Sequence, residues 1–111
     1  MDERLRELFN RHQCTDKGFG AALGPASALA AQQLFSGLDY QVRVQPSDWH
    51  IGPDQASLQK MLVHGWLDAA VEMAPEEVGQ LQAWSSWRGM QIETSGLQIS
   101  VGHVDVAGWL P

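Results

Sequence analysis

Apolar residues recur at spacings of three and four in four stretches of the chain, which is the spacing of amphipathic helices. Pro25 and Pro75 suit the first turn of a helix, and Gly37 and Thr94-Ser95-Gly96 suit helix ends. Gly65 predicts a close approach of another backbone to the third helix. The four predicted helices cover residues 2–12, 25–36, 54–74 and 75–91.

Two further stretches follow other patterns. Residues 40–44 alternate between apolar and polar side chains and end at Pro46, which predicts a strand with one face in the core. Residues 97–107 are apolar on both faces and predict a strand that is covered on both sides. Residues 47–53 are predicted as a loop. Because two strands do not make a self-sufficient sheet, residues 1–111 are interpreted as a single α/β domain or a fragment of a larger sheet.

Composition excludes several classes of protein. The 111 residues include 13 acidic and 7 basic side chains, giving a net charge of −6, which argues against DNA or an anionic membrane as a partner. No apolar run approaches the ~20 residues of a membrane-spanning helix, and the acidic start of the chain differs from a basic secretion signal. A lone Cys14 cannot form an internal disulfide. We therefore expect a cytoplasmic protein.

Candidate chemistry centres on a glycine-rich segment that follows the first helix. Arg11, His12, Asp16, Lys17 and Phe19 bring charges of both signs, an imidazole and an aromatic ring close together in sequence. Such residues can orient an anionic or hydroxyl-bearing substrate or act as a general base. Basic residues at a helix end also complement its dipole without any role in binding. The loop is a flexible connection or part of a ligand pocket; its glycine spacing does not match a dinucleotide-binding turn.

Histidines and tryptophans elsewhere favour structural roles. His103 and Asp105 share one face of the last predicted strand, but no third metal ligand is identifiable, so we interpret His103 as structural. Trp66, Trp84 and Trp87 lie on or near apolar helical stripes and are predicted as core residues.

Five blocks of sequence, in order and spacing, resemble the C-terminal part of a bacterial family of class I S-adenosylmethionine-dependent methyltransferases. The blocks are Leu8-Phe9-Asn10-Arg11-His12-Gln13; Asp16-Lys17-Gly18-Phe19-Gly20 with Ala22-Leu23-Gly24-Pro25; Tyr40-x-Val42-Arg43-Val44 with Ser47-Asp48-Trp49; Leu58-Gln59 with Gly65-Trp66; and Val101-Gly102-His103-Val104-Asp105.

The resemblance implies a Rossmann-like sheet of which this chain forms the C-terminal end, with four helices and two antiparallel strands equivalent to strands six and seven. It implies methyl transfer to an unknown acceptor, with S-adenosylmethionine as cofactor of the intact enzyme. The glycine-rich turn and acidic residue that hold the cofactor in this family are absent here, so we expect no cofactor site and no activity from this chain alone. Arg11, His12, Asp16, Lys17 and Phe19 become candidates for orienting the acceptor, with His12 or Asp16 accepting a proton.

A second hypothesis is a non-catalytic binding or assembly module derived from a methyltransferase. In either case the last strand lacks a neighbour, so we expect it to pair with a missing N-terminal half or with a second copy of the chain. The second copy predicts a homodimer formed by sheet-edge pairing.

Overall fold

A computed structural model describes residues 1–94 and 96–111, which form four α-helices and four β-strands. The helices are α1 (Asp2–Gln13), α2 (Ser27–Gly37), α3 (Ala56–Met73) and α4 (Val78–Thr94). The strands are β1 (Gln41–Pro46), β2 (Trp49–Ile51), β3 (Ile99–Val101) and β4 (Val104–Trp109). All four predicted helices are thus confirmed. None of the described helices is long and apolar enough to cross a membrane.

Proline sets the beginning of three helices. Short 3₁₀ turns that contain Pro25, Pro53 and Pro75 precede α2, α3 and α4, because the fixed φ of proline suits a first helical turn and its missing N–H is not needed there. The regular helices therefore begin two or three residues after the predicted positions. At the other end of α4, Thr94 is the last helical residue, and Ser95 lies outside the described part of the chain.

The strands pair as one antiparallel ribbon that is interrupted in the middle. β1 pairs with β4 and β2 pairs with β3, and from Pro46↔Val104 to Trp49↔Val101 both strands advance by three residues, so the register does not shift. At the interruption the backbone N–H of His103 donates to the Asp48 carboxylate at 2.9 Å. This side-chain hydrogen bond replaces one bond of the ladder and divides the ribbon into two small sheets.

The strand predictions are therefore correct in part. The expected antiparallel pairing of residues 40–44 with the segment 97–107 is confirmed, for example by Val44 opposite Val106. The prediction of two strands is wrong, because β2 lies within the predicted loop and the last segment forms both β3 and β4. The prediction that this segment is covered on both faces is also wrong for β4, none of whose residues is buried. Among the described helices, it is α2 that packs against β4. The ring of Phe35 on α2 lies against Gly108 on β4.

The buried core belongs to α1, α3, α4 and the β2–β3 pair, whereas no residue of α2, β1 or β4 is buried. The chain is consequently open in shape, with extents of 52 × 33 × 21 Å and a radius of gyration of 17.0 Å, against about 13 Å for a compact domain of this length. The core residues are Leu5, Leu8, Ile51, Val63, Ala70, Ala74, Leu81, Trp84, Ile92 and Ile99.

Two predictions about helix interiors are corrected by the packing. Trp84 is buried and Trp66 packs at the margin of the core, but Trp87 is 51% exposed and stacks against the guanidinium of Arg88. At Gly65 a Cβ atom would have no neighbour within 4 Å, so no other backbone approaches that glycine.

Candidate functional site

A cleft of about 800 Å³ lies between α1 and residues 97–104, with α3 and α4 completing its walls. Three aromatic side chains line it: Phe9, Trp66 and Trp84. Phe9 and Trp66 meet edge to face with ring centroids 6.3 Å apart, a favoured geometry for aromatic pairs. The cleft therefore offers a largely apolar surface with polar groups at its rim, as small-molecule sites commonly do.

Residues from separate blocks of the sequence converge on this cleft. Asn10 and Gln13 reach it from α1, Pro25 from the start of α2, Trp66 from α3, and His103 from the segment between β3 and β4. These residues belong to four of the five sequence blocks quoted in the sequence analysis. The remaining block touches the site indirectly, through the ring of Trp49 beside His103.

Among the described cleft-lining residues that belong to these blocks, His103 is the one with a titratable side chain. Its ring lies 4.6 Å from the Trp49 ring, with an angle of 30° between the planes. Its backbone N–H is held by Asp48, and its carbonyl accepts the Ser47 N–H at 2.8 Å. The hydroxyl oxygen of Ser47 is buried and has no hydrogen-bond partner. The backbone of His103 is therefore fixed while the imidazole remains exposed.

Sequence reasoning assigned His103 only a structural role. The signal available in the sequence is the pair of polar residues Ser47-Asp48 just after the first predicted strand, together with His103 within the second. Their proximity depends on the register of the ribbon, which no single-sequence pattern determines.

The five predicted site residues do not line the cleft. Asp16 accepts the backbone N–H of Gly18 at 2.7 Å and of Gly20 at 3.0 Å, and these bonds lower the pKa of its carboxyl. Phe19, between those glycines, projects fully into solvent. Positive φ angles at both glycines allow the tight turn around the Asp16 carboxylate. The glycine-rich segment thus forms a turn that is held by hydrogen bonds from its backbone amides to Asp16.

The basic members of the predicted set lie at the end of α1. Lys17 donates to the His12 carbonyl at 3.0 Å, close to where the negative end of the helix dipole lies. The His12 imidazole lies 2.7 Å from a carboxylate oxygen of Glu72 on α3. Arg11 is exposed and lines a shallower depression beside Cys14. Roles of these residues in orienting a substrate remain predictions.

Ionic contacts at the start of α1 hold the opposite wall of the cleft. The Asp2 carboxylate accepts the indole N–H of Trp84 at 2.5 Å and pairs with Arg88. Partial burial raises the pKa of Asp2, but the hydrogen bonds from these two residues outweigh it, so the pKa falls overall. Arg4 makes a bidentate contact with Glu77, at 3.0 and 2.5 Å, and lowers the pKa of that carboxyl. These contacts fasten α1 to the 3₁₀ turn that precedes α4 and to the middle of α4.

The described residues contain no group of three or more His, Cys, Asp and Glu side chains that could hold a metal ion. The glycine-rich segment does not have the arrangement of a dinucleotide-binding turn. The glycine-rich segment follows a helix rather than a strand, and Asp16 already occupies its free amides. No family model, no curated protein and no solved structure matches the chain.

Proposed function

We propose that this chain forms the acceptor side of an S-adenosylmethionine-dependent methyltransferase whose cofactor-binding half is a separate part of the protein. The observation that carries this proposal is the convergence of four sequence blocks on one aromatic cleft. These blocks come from three separate regions of the sequence, residues 8–25, 58–66 and 101–105, and their residues line the same cavity. Methyl transfer depends mainly on holding the acceptor in line with the methyl group, so the main contribution expected of such a part is a cavity that positions the acceptor.

The sheet is consistent with the same proposal. An antiparallel pair formed by β1 and β4 is what strands six and seven of a Rossmann-like methyltransferase sheet would provide. Among the described strands β4 has β1 as its partner on one side and none on the other. In the proposed enzyme, a strand of the cofactor-binding half occupies that side.

The residues at the cleft suggest what this part does for the acceptor. Phe9 and Trp66 provide an apolar wall for the body of a small acceptor, and the imidazole of His103 can accept the proton that a hydroxyl or amine loses on methylation. Stacking on Trp49 restricts the imidazole, which helps a proton acceptor to keep its position.

The free, exposed Cys14 fits the reducing conditions of the cytoplasm, where we place the protein.

Isothermal titration with S-adenosylmethionine tests the proposal. We expect no micromolar binding by residues 1–111 and clear binding by the product of the whole reading frame that contains them. Micromolar binding by the 111-residue chain would contradict the assignment of the cofactor site to another part. Absence of binding by the whole product would contradict the proposed activity.

A pair of histidine variants tests the role of the cleft. In the whole protein, His103→Gln should lower the rate of methyl transfer and leave the affinity for S-adenosylmethionine unchanged. His64→Gln is the matched control, because His64 is exposed on α3 and does not line the cleft. Equal rates for the two variants would show that His103 takes no part in the reaction.

The second candidate is a non-catalytic assembly module. It is favoured by α2, none of whose residues is buried although the helix carries two leucines and a phenylalanine. A whole product that binds no S-adenosylmethionine but forms a stable assembly would favour this candidate over the enzyme.

A further inference from the structure

The free edge of β4 carries a regular row of unpaired backbone groups. In an antiparallel pair, residues alternate between those that bond to the partner strand and those that face away from it. The bond from the Ser47 N–H to the His103 carbonyl sets this alternation. Counting from it in the observed register, Val104, Val106 and Gly108 direct their N–H and C=O groups away from β1.

Pro46 provides an internal check on this assignment. It pairs with Val104, at a position where the β1 residue also faces away from β4. Proline has no N–H to donate, and it is tolerated in a strand where the N–H would face away from the ladder. β4 itself contains no proline or lysine, the residues that commonly block exposed edges.

The exposed area of the chain exceeds what a compact monomer would have. The solvent-accessible surface is 7593 Å² for a mass of 12.2 kDa, whereas a compact monomer of that mass exposes about 6,100 Å². The surplus is about 1,500 Å², which is more than the ~800 Å² that each partner contributes to a standard interface.

The composition of the exposed surface suits a copy of itself. α2 carries no charged residue, so two α2 helices can approach each other although each chain has a net charge of −6. Leu29, Leu34 and Leu38 on or just after α2 are each more than half exposed. An apolar, uncharged surface beside an open strand edge favours pairing, and a second copy presents a matching apolar surface and strand edge.

We propose that two copies of this chain pair through β4, with the twofold axis at Val106. Val106 then pairs with the partner's Val106, and Val104 pairs with the partner's Gly108. This register satisfies the outward N–H and C=O groups of all three residues in both copies. It produces a four-stranded antiparallel sheet with both α2 helices on one face, so the exposed leucines gain a second helix to pack against. Asp105 faces the partner's Ala107, which keeps the two carboxylates from opposing each other.

The wild-type mass gives the first test. Light scattering of the 111-residue chain after size exclusion should give about twice the chain mass of 12.2 kDa. Amide exchange at Val104, Val106 and Gly108 should slow as protein concentration rises. A mass equal to one chain throughout the micromolar range, or fast exchange at all three amides at every concentration, would overturn the proposal.

Two proline variants of the same rung identify the edge. Val106→Pro removes the central outward donor of β4 without removing a bond to β1, and it should convert the dimer to a monomer. Val44→Pro makes the same change opposite Val106, on the outer edge of β1, and should remain dimeric. A dimeric V106P together with a monomeric V44P would assign association to β1 and refute the proposed surface. Circular dichroism should confirm that each variant keeps its helices.

The inference does not rest on the proposed methyltransferase activity, and it concerns the 111-residue chain, because in the proposed enzyme a strand of the cofactor-binding half would occupy the edge of β4 that forms the dimer. Its readouts are the mass and amide exchange of the 111-residue chain, whereas the proposed activity is tested by cofactor binding to the whole product. A failure of the proposed dimer can therefore be distinguished from a failure of the proposed activity.

Discussion

Replacing Gln59 by leucine should loosen the junction between the helices and the β2–β3 pair. Gln59 is fully buried on α3, and its amide nitrogen donates to the carbonyl of Ile51 at 3.0 Å and to that of Leu97 at 2.6 Å. One side chain thus joins three segments. Both acceptors are carbonyl oxygens, so the orientation of the amide is fixed, and its own oxygen remains buried without a partner.

The expected loss follows from these contacts. A buried carbonyl that is left without its hydrogen-bond donor lowers the stability by about 1–3 kcal/mol, and the Leu97 carbonyl would be left in this way. Ile51 also lies in the β2–β3 pair, so losing the glutamine donor to its carbonyl costs only about 0.5–1.5 kcal/mol. Removing the unpaired amide oxygen offsets about 1 kcal/mol of this. The free energy of unfolding should therefore fall by about 2 kcal/mol, which lowers the urea midpoint by about 1 M at an ordinary denaturant dependence.

Urea unfolding followed by tryptophan fluorescence measures this change, with all proteins at one concentration because association adds to stability. Gln82→Leu is the matched control, since Gln82 is exposed on α4, and it should change the free energy of unfolding by less than about 0.5 kcal/mol. A Gln59→Leu protein within about 0.5 kcal/mol of the wild type would refute the reasoning. So would an equal loss in both variants.

Three further outcomes are expected. Asp16→Ala should speed amide exchange at Gly18, and because the folded pKa of Asp16 is lowered, the wild-type loop should lose this protection as pH falls below the ordinary carboxyl range of about 4; unchanged exchange would contradict the turn. Trp84→Phe should raise the pKa of Asp2, measured by NMR titration, and cost about 0.5–1.5 kcal/mol in thermal unfolding through the lost indole bond. Gly65→Ala should stabilise the chain by about 0.5–1 kcal/mol in urea unfolding, because the added methyl meets open space within α3; a loss would indicate an unseen close packing there.

Helix positions were predictable because apolar spacing and proline act locally. The four helices follow from these two signals, and the small errors at their starts reflect single 3₁₀ turns after each proline. β2 was missed because its three residues are too few to establish an alternation, and because Pro46 and Asp48 precede them and Gly52-Pro53 follow them. The exposure of β4 was also missed, since a sequence pattern reports which faces are apolar and does not report which elements cover them.

The candidate site was less predictable than the fold. Asp16 and His12 stood out as titratable residues beside a glycine-rich loop, and the structure shows that nearby amides and Glu72 already contact them. His103 was undervalued because its proximity to Trp49 depends on pairing across about fifty residues of chain. Local composition can indicate which side chains are reactive, whereas the set that surrounds a cavity is determined by tertiary contacts.

The unshifted register of the ribbon restricts how this sequence can change during evolution. Alternate residues of a strand face opposite sides, so inserting one residue in either strand at the interruption beside Asp48 and His103 would turn the remainder of that strand over. Val106 would then face away from α2 and Asp105 would face toward it. A bulge can absorb the extra residue, and insertions of equal length on both strands keep β1 and β4 in register with each other. Relatives of this chain should therefore keep constant spacing on each side of the interruption or change both spacings together.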